Sequence, residues 1–190
     1  MKNITRADEY GTKKGAIKVE VVVTCENEFK LNIVNTHLGA ISDPQKINGE
    51  YVYDTKEIKS HKNQVKELLK FIKADIEKSN LVLMGDLNIH HLNHNTKDES
   101  DVYALVGKDF LDTFESLNLQ TDSVTFDANN KYVSSGHFRD SPSERIDYIF
   151  TNHQMSDKGI MPIDSKVVFN QANQVVSDHY GVLTTLACPK

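Results

Sequence analysis

The alternation of apolar and polar positions predicts a β-hairpin near the start of the chain. Every second residue is apolar over 17–23, and the alternation resumes over 29–33 after a polar turn at 25–28. The second strand runs on into Thr-His-Leu, so His37 is expected at a strand terminus, where the chain enters a loop. Loops at such positions often carry catalytic or binding residues.

A helical period follows over residues 55–78. Its apolar positions fall on one face of a 3.6-residue helix, and they are Ile58, Val65, Leu68, Leu69, Ile72 and Ile76. Lysines recur every three or four residues beside that face, at Lys56, Lys59, Lys62, Lys66, Lys70 and Lys73. A solvated flank is the preferred interpretation of these lysines, and a phosphate-facing or membrane-facing stripe is the alternative.

The remaining pattern predicts a layered α/β fold. Residues 81–84 are a short apolar run bounded by Asn80 and Gly85, which indicates a buried strand after the helix. The apolar spacing over 109–117 predicts a shorter helix. Three further strands are predicted at 145–150, 166–169 and 180–187. Residues 40–54 are predicted as a surface excursion, and residues 122–140 as a polar, turn-rich segment.

Length and composition indicate one folded domain. The chain has 190 residues, 38% hydrophobic and 26% charged, which is outside the range of disordered chains. No apolar run approaches the roughly 20 residues that span a bilayer, so no transmembrane segment is expected. No apolar segment follows the first cations, so no secretory signal is predicted, and the sequence assigns no compartment or oligomeric state.

Charge and cysteine content narrow the function classes. The net charge is −5 and the pI is about 5.9, which disfavours binding of nucleic acid by charge alone but is compatible with a metal-assisted nuclease. Cys25 and Cys188 are too few for a cysteine zinc site or a disulfide framework. Both are expected to be ordinary thiols.

Four sets of polar residues stand at predicted strand ends: His37; Asp86 with Asn88; Asp147 with Arg145; and Asp178 with His179. Strand ends converge on one rim in layered α/β folds. A carboxylate beside an imidazole fixes the tautomer, and further carboxylates bind a hard divalent cation. The sets together suit metal-assisted hydrolysis of a phosphate ester, whereas each alone is also compatible with a turn, a strand cap or a structural histidine.

Taken in order, these motifs resemble the endonuclease/exonuclease/phosphatase superfamily, which includes DNase I and neutral sphingomyelinases. The matching strings are Thr-His-Leu, Gly-Asp-Leu-Asn, Arg-Ile-Asp-Tyr and Ser-Asp-His-Tyr. The resemblance covers residues 11–190 and leaves 1–10 as an N-terminal segment. It implies an α/β sandwich of two packed β-sheets with helices outside, and hydrolysis of phosphate esters that depends on Mg²⁺ or another divalent cation such as Mn²⁺.

The resemblance also implies roles for individual residues. Asp86 corresponds to the residue that orients or deprotonates the attacking water, and Asn88 to a ligand of the phosphate. His179 corresponds to the catalytic histidine, and Asp147 to the carboxylate that supports it. His37 corresponds to the histidine that contacts the scissile phosphate.

The metal ligands implied by the resemblance include Asp178 beside the catalytic histidine, together with Asp86 and Asn88. Lys14-Gly15-Ala16 before the first strand, and the helix string at 64–68, resemble the neutral sphingomyelinase branch in particular. A phosphodiester in a phospholipid head group is therefore the favoured substrate. A DNase-like endonuclease acting on nucleic acid is the alternative.

One departure from the family pattern concerns the metal. Family members place an Asn and a metal-binding Glu on strands well ahead of the Thr-His-Leu motif, whereas 36 residues precede His37 here. The chain therefore looks like the C-terminal two-thirds of such a domain, with open apolar surface and impaired metal binding. A catalytically impaired remnant or binding module is the third hypothesis. The acidic candidates for the missing ligand match no family position, and they are Glu9, Glu20, Glu26 and Glu28.

The other histidines are expected outside the site. His90, His91 and His94 follow Asn88 in an Asn-rich stretch that predicts a solvated loop. His61 lies at the edge of the helical apolar face and is interpreted as a packing residue. Residues 136–138 are a weaker candidate for lining a substrate cleft.

Overall fold

The fold is described from a computed structural model of the 190-residue chain. The structure describes residues 2–7, 13–41, 45–90, 97–117, 124–136 and 138–188. In these ranges the strands are β1 (Lys2–Ala7), β2 (Lys13–Thr24), β3 (Glu28–His37), β4 (Gln45–Ile47), β5 (Glu50–Val52), β6 (Asn80–Asp86), β7 (Phe110–Asp112), β8 (Asp147–Asn152), β9 (Pro162–Val168) and β10 (Gly181–Leu186). The helices are α1 (Thr55–Lys78), α2 (Lys97–Gly107), α3 (Lys131–Ser134) and α4 (His153–Asp157).

A mixed six-stranded sheet forms the centre of the molecule, in the order β1-β2-β3-β6-β8-β7. All neighbouring pairs are antiparallel except β3 and β6, which are parallel because α1 makes the crossover between them. Strands β9 and β10 form a separate antiparallel pair, and β4 and β5 form a small hairpin. The predicted first hairpin, crossover helix and buried strand are confirmed.

Helix α1 covers one face of the central sheet. Asp54 caps it, because its carboxylate accepts a hydrogen bond from the Lys56 N–H at 2.6 Å. The buried core between helices and sheet includes Val34, Val65, Leu68, Ile72, Leu81, Leu83, Val102 and Phe150. No helix in the described part of the chain is both long and apolar enough to cross a membrane.

The opposite face of the sheet is apolar and only partly covered. Leu31 and Val82 are buried there with Met155 and Ile160, and Leu186 of β10 packs against this cluster. The same face continues along β2 to residues that are about half exposed, namely Ile17 (50%) and Val19 (47%). Open apolar surface of the expected kind is therefore present on β2.

The predicted helix at 109–117 is wrong. Phe110–Asp112 pairs with β8 as strand β7, and Glu115–Leu117 is a single 3₁₀ turn. The side chain of Asp112 accepts hydrogen bonds from the N–H groups of Phe114 and Glu115, which forms a tight turn in place of a helical turn. The helix in this region is α2, which precedes the predicted position and buries Val102 and Val106.

The segment 40–54, predicted as a surface excursion, is anchored at both ends. Ile41 and Tyr53 are buried with Ile58 of α1, and the β4–β5 hairpin lies between them in the chain. The exposed part of this segment is the hairpin itself, where Ile47 and Val52 are accessible. The polarity of the hairpin was visible in the sequence, whereas the burial of its two flanks was not.

The prediction that Cys25 and Cys188 are ordinary thiols is also wrong, because they form a disulfide. Their Cα atoms lie 6.0 Å apart, within the usual range for a disulfide. Cys25 lies in the turn between β2 and β3, and Cys188 follows β10. The bond therefore links the central sheet to the β9–β10 pair across 163 residues of sequence, a proximity that sequence spacing does not reveal.

Reduction of this disulfide is expected to lower the free energy of unfolding by about 2–5 kcal/mol, because a cross-link over a long loop restricts the unfolded chain. The measurement is urea unfolding of the oxidised protein with and without dithiothreitol. The double variant Cys25→Ala/Cys188→Ala is the control, and its unfolding curve should not respond to the reductant. Superimposable curves for the oxidised and reduced wild-type protein would contradict the expectation.

Candidate active site

Strand register places three predicted site residues in one row. His37 on β3 pairs with Asp86 on β6, and Asp86 pairs with Asp147 on β8. Side chains at paired positions of adjacent strands lie on the same side of a sheet, about 5 Å apart. The row lies at the end of the sheet where β3 and β6 both terminate, as the strand-end argument predicts.

Gly85 makes the close approach of β3 and β6 possible beside this row. Its φ is +129°, and a Cβ at this position would collide with the Thr36 carbonyl oxygen and crowd the Asn35 side chain. A local steric constraint therefore explains why the Gly-Asp-Leu-Asn motif begins with glycine. The glycine lets Asp86 sit directly beside His37.

Asp86 is the central carboxylate of the row. Its Oδ2 lies 3.3 Å from Nε2 of His37, whose side chain is 60% exposed, while Asp86 itself is largely buried. Burial and the neighbouring charge of Asp147 raise the pKa of Asp86 from 3.8 to about 7, against the opposing effects of His179, the Asn88 N–H and Lys14. A carboxylate with such a pKa can exchange a proton near neutral pH.

Asp147 also contacts a fourth site residue, His179, which lies outside the row. Nδ1 of His179 lies 2.8 Å from Oδ2 of Asp147. Burial alone would lower the pKa of His179, but the hydrogen bond to Asp147 and the charges of Asp147, Asp86 and Asp178 raise it above its usual value. The predicted pairing of a carboxylate with the Ser-Asp-His histidine is present in the structure.

A segment that sequence reasoning missed brings His179 to the row. Phe126 makes antiparallel bridges to both Glu144 and His179, and its ring lies 5.2 Å from the His179 ring. The hydroxyl of Thr125 accepts hydrogen bonds from the N–H groups of Ile146 and Asp147. Residues 125–126 therefore join the Asp147 strand to the His179 segment. The sequence predicted only a polar, turn-rich stretch there.

Atoms that could bind a metal ion lie close together at this point of the row. In the described residues, one ligand atom each from Asp86, Asp147 and His179 lie within 4.8 Å of one another. Asp178 precedes His179 in the chain and contributes charge to it, but its carboxylate is not part of this group, and its Oδ1 accepts a hydrogen bond from the Ser177 hydroxyl. Carboxylate oxygens are the donors preferred by Mg²⁺ and Mn²⁺.

Asn88 lies just behind the row. Its φ is +49°, its backbone N–H donates to Oδ1 of Asp86, and its side-chain Nδ2 donates to the carbonyl of Leu38. These bonds fix the turn after β6 and connect it to the loop after β3. Asn88 thus supports both Asp86 and the His37 loop, and its role toward phosphate stays a prediction.

The acidic alternatives on β2 and β3 lie away from the site. Glu28 begins β3 and His37 ends it, which separates them by about 30 Å of extended chain. Glu26 lies in the adjoining turn, and Glu20 forms an ion pair with Lys30 at 2.8 Å. Glu9 lies outside the described residues. None of the three described glutamates adds a ligand to the cluster.

Arg145, which flanks Asp147 in the sequence, belongs to the core. Its guanidinium forms a buried ion pair with Asp112 at 2.6 Å and lies 4.7 Å from the centre of the Tyr148 ring. The Tyr148 hydroxyl in turn lies within hydrogen-bond distance of the carbonyl oxygens of Ile89 and Arg145, which share its single proton. The Arg-Ile-Asp-Tyr motif therefore combines one site residue with two residues that stabilise the strand beneath it.

The prediction of a solvated His90 is wrong. His90 is buried, with Nδ1 2.7 Å from the buried carboxylate of Glu144, whose other oxygen accepts a hydrogen bond from Tyr53.

The interpretation of His61 as a packing residue is confirmed. His61 is buried, its Nε2 forms a hydrogen bond with the Leu87 carbonyl, and burial lowers its pKa to about 4.

Three histidines singled out in the sequence, His91, His94 and His137, lie outside the described residues. Phe138, which follows His137 in the sequence, is 42% exposed, and its ring meets Phe126 edge-on with the ring centres 6.2 Å apart. Phe126 lies between Phe138 and His179 in this chain of ring contacts. A cleft-lining role for 136–138 stays a prediction.

Comparison with known proteins relates this chain to a protein family and to a bacterial enzyme. A family model described as endonuclease-reverse transcriptase, Exo_endo_phos_2, matches residues 50–183. A sphingomyelinase C of Bacillus cereus is 27% identical over 177 residues, which cover 85% of this chain and 50% of that protein. The chain thus spans about half the length of this relative.

Solved structures share the fold. An endonuclease/exonuclease/phosphatase from Beutenbergia cavernae matches with a TM-score of 0.60 at 19% identity, over 93% of this chain and 40% of that one. D. rerio TDP2, solved with a single-strand DNA product, matches with a TM-score of 0.62 at 19% identity, over 91% of this chain and 62% of that one. With the family model covering most of the sequence, the chain belongs to the endonuclease/exonuclease/phosphatase family.

Proposed function

We propose that this chain carries the site of a Mg²⁺-dependent phosphodiester hydrolase of the sphingomyelinase type. The observation that carries the proposal is the row His37–Asp86–Asp147 on three adjacent strands, with Nδ1 of His179 2.8 Å from Asp147. The row and His179 together combine two carboxylates and two imidazoles at one end of the central sheet. Such a set can bind a cation, position water and transfer protons at a phosphate ester.

The donor set fits a hard divalent cation. Asp86 and Asp147 bring two carboxylates together, and burial followed by the charge of Asp147 raises the pKa of Asp86, so a bound cation would offset an unfavourable charge. We propose Asp86, Asn88 and Asp178 as ligands, with Asp147 close enough to contribute. A bound Mg²⁺ or Mn²⁺ would neutralise negative charge on the phosphate and favour ionisation of a water.

The protein groups divide the proton chemistry between them. Asp147 orients the His179 ring and favours its protonated form, which can donate a hydrogen bond to a phosphate oxygen from Nε2. Asp86, at the centre of the row, can orient the attacking water and accept its proton. His37, which is exposed beside Asp86, can contact the scissile phosphate from the other side of the row.

A phospholipid head group is the proposed substrate. The sphingomyelinase similarity extends over 85% of the chain. The net charge of −5 also differs from the positive charge typical of proteins that bind nucleic acid mainly by electrostatic attraction. A nuclease is the second candidate, because one structural neighbour was solved with a single-strand DNA product. Phosphocholine release from sphingomyelin vesicles, measured beside nicking of supercoiled plasmid, separates the two.

These assays also test the impaired-remnant hypothesis. Hydrolysis of sphingomyelin but not DNA supports the first candidate, and plasmid nicking alone supports the second. No hydrolysis of either substrate with saturating Mg²⁺ or Mn²⁺ would contradict both candidates and favour a binding module. A small diester such as bis(p-nitrophenyl) phosphate should be included, since its cleavage reports the chemistry without selection by a lipid or a DNA strand.

Hydrolysis is expected to be lost in excess EDTA and restored by added Mg²⁺ or Mn²⁺, because the site consists of oxygen and imidazole donors. Mg²⁺ affinity should be no better than about millimolar, since two or three carboxylates hold this ion weakly. Calorimetric titration measures the affinity, and EDTA presaturated with Mg²⁺ is the control. Full activity in excess EDTA would contradict a metal-dependent mechanism.

His179→Ala is expected to lower kcat by about 10²-fold or more, the usual scale for removing a general acid or base. Exposed His153 provides the control, and His153→Ala should leave kcat within about twofold, as surface changes usually do. The measurement is steady-state hydrolysis of the preferred substrate. A loss of less than threefold in the His179 variant would remove this residue from the mechanism.

Asp86→Asn is expected to stabilise the metal-free protein at alkaline pH. The pKa of Asp86 is raised in the native state, so its contribution to stability is fully present below pH 3.8 and is lost as pH rises through about 7. A neutral amide avoids this loss. The Tm of the variant should exceed that of wild type by about 2–4 °C or more at pH 8, and the difference should shrink toward pH 5.

Thermal unfolding in EDTA at pH 5 and pH 8 measures this difference. Asp140→Asn, at a side chain that is 93% exposed, is the matched control and should show little pH-dependent change relative to wild type. An Asp86→Asn protein that is less stable than wild type at pH 8 would contradict the expected cost of the buried charge.

A further inference from the structure

We infer that Asn130 is a positioning residue, which holds the Ser177–Asp178 backbone and thereby places His179 against Asp147. Asn130 lies outside every motif discussed above, on the loop that precedes the four-residue helix α3. The inference rests on the proposed function for its kinetic consequence only. The structural consequence, the position of the His179 ring, does not depend on any activity.

The polar atoms of Asn130 are all engaged, and its side chain is only 2% exposed. Oδ1 accepts a hydrogen bond from the Tyr132 N–H at 3.0 Å, which caps α3. Nδ2 donates to the carbonyl oxygens of Ser177 at 2.9 Å and Asp178 at 3.2 Å. Both carbonyls come from the two residues that directly precede His179. One amide therefore joins the start of α3 to the segment that carries the histidine.

The His179 segment needs such an anchor because it lies outside the regular sheet. Strand β10 begins only at Gly181, and the preceding chain is largely exposed, with Val176 76% accessible. Downstream, the Tyr180 N–H donates to the Thr125 carbonyl at 2.7 Å. Upstream, Asn130 makes the corresponding contact, so the two bonds fix the chain on both sides of His179.

A helix cap alone does not explain the choice of asparagine. Asp, Ser and Thr also accept a hydrogen bond at an N-cap. Only an amide presents an acceptor to Tyr132 and donors to two carbonyl oxygens at the same time. The donor half of the side chain is used entirely on the Ser177–Asp178 turn. Replacement by Asp would keep the cap and turn both outward contacts into repulsion between oxygen atoms.

Errors in the position of His179 are expected to affect turnover more than binding. The hydrogen bond between His179 and Asp147 is 2.8 Å long, and catalytic groups lose effectiveness when displaced by about 1 Å. Asn130 is not placed to touch a substrate at the row. Its loss should therefore lower kcat while KM changes little.

The test uses two variants of the full chain. Asn130→Asp keeps the cap oxygen and removes both donors. Asn130→Ser removes the donors without adding charge. Asn173→Asp, at an exposed position in the loop before Ser177, is the control for the change in charge. Thermal unfolding establishes that each variant is folded before the other measurements are made.

The main readout is the ring Nδ1–H proton of His179 in the ¹H–¹⁵N NMR spectrum, assigned by its loss in His179→Ala. A hydrogen bond to a carboxylate shifts this proton downfield and slows its exchange with water. We expect the resonance to be lost or broadened in both Asn130 variants and retained in Asn173→Asp. We also expect kcat to fall about 10-fold or more, with KM within about threefold.

The inference is overturned if folded Asn130→Asp and Asn130→Ser both keep the His179 resonance. It is likewise overturned if neither variant folds, because the residue would then have a general structural role. Absence of hydrolysis by the wild-type protein would contradict the proposed function and leave the NMR comparison intact. Failure of the two proposals is therefore distinguishable.

Discussion

The approach of two carboxylates, Asp86 and Asp147, across adjacent strands is the constraint on which the site depends. Their burial and mutual repulsion raise the pKa of Asp86 to about 7, and their charges keep the pKa of His179 above its usual value. Such an arrangement costs folding free energy unless protons or cations compensate it. The surrounding hydrogen bonds are best understood as the means by which the fold maintains this costly geometry.

Three different parts of the chain supply that support. The strand row is held by sheet register, and Gly85 allows the close approach of β3 and β6. The buried pair of Arg145 and Asp112 stabilises the start of β8. His179 is outside the sheet and depends on contacts from the loop at 125–130. The segment that carries His179 is thus held by a short backbone bridge and by the Asn130 side chain rather than by a regular strand ladder.

The central sheet has two unlike faces, and this difference governs the rest of the fold. Helices α1 and α2 bury the centre of one face, whereas the β9–β10 pair covers only part of the other, and Ile17 and Val19 remain accessible. The disulfide between Cys25 and Cys188 links the central sheet to the end of that pair. A cross-link at this place limits separation of two layers whose shared apolar contact is small.

Local pattern in the sequence determined the first hairpin, helix α1, strand β6 and the terminal positions of His37, Asp86 and Asp147. Their periods of 2 and 3.6 express burial on one face of a strand or helix, and that information is contained in neighbouring residues. The family motifs added the expected partnership of Asp147 with His179. The site residues that could be predicted are therefore those that lie at the ends of strands with a local sequence pattern, or that belong to a family motif.

Contacts between residues distant in the chain were decided only by the tertiary structure. The disulfide, the burial of His90 against Glu144, and the anchoring of residues 177–178 by Asn130 each join segments separated by 47 residues or more. Residues 109–117 had a helical apolar period but became a strand and a turn, because β8 offered an open edge and Asp112 bonded the next N–H groups. Local periodicity records which side chains avoid water, whereas their partners are determined by how the layers pack.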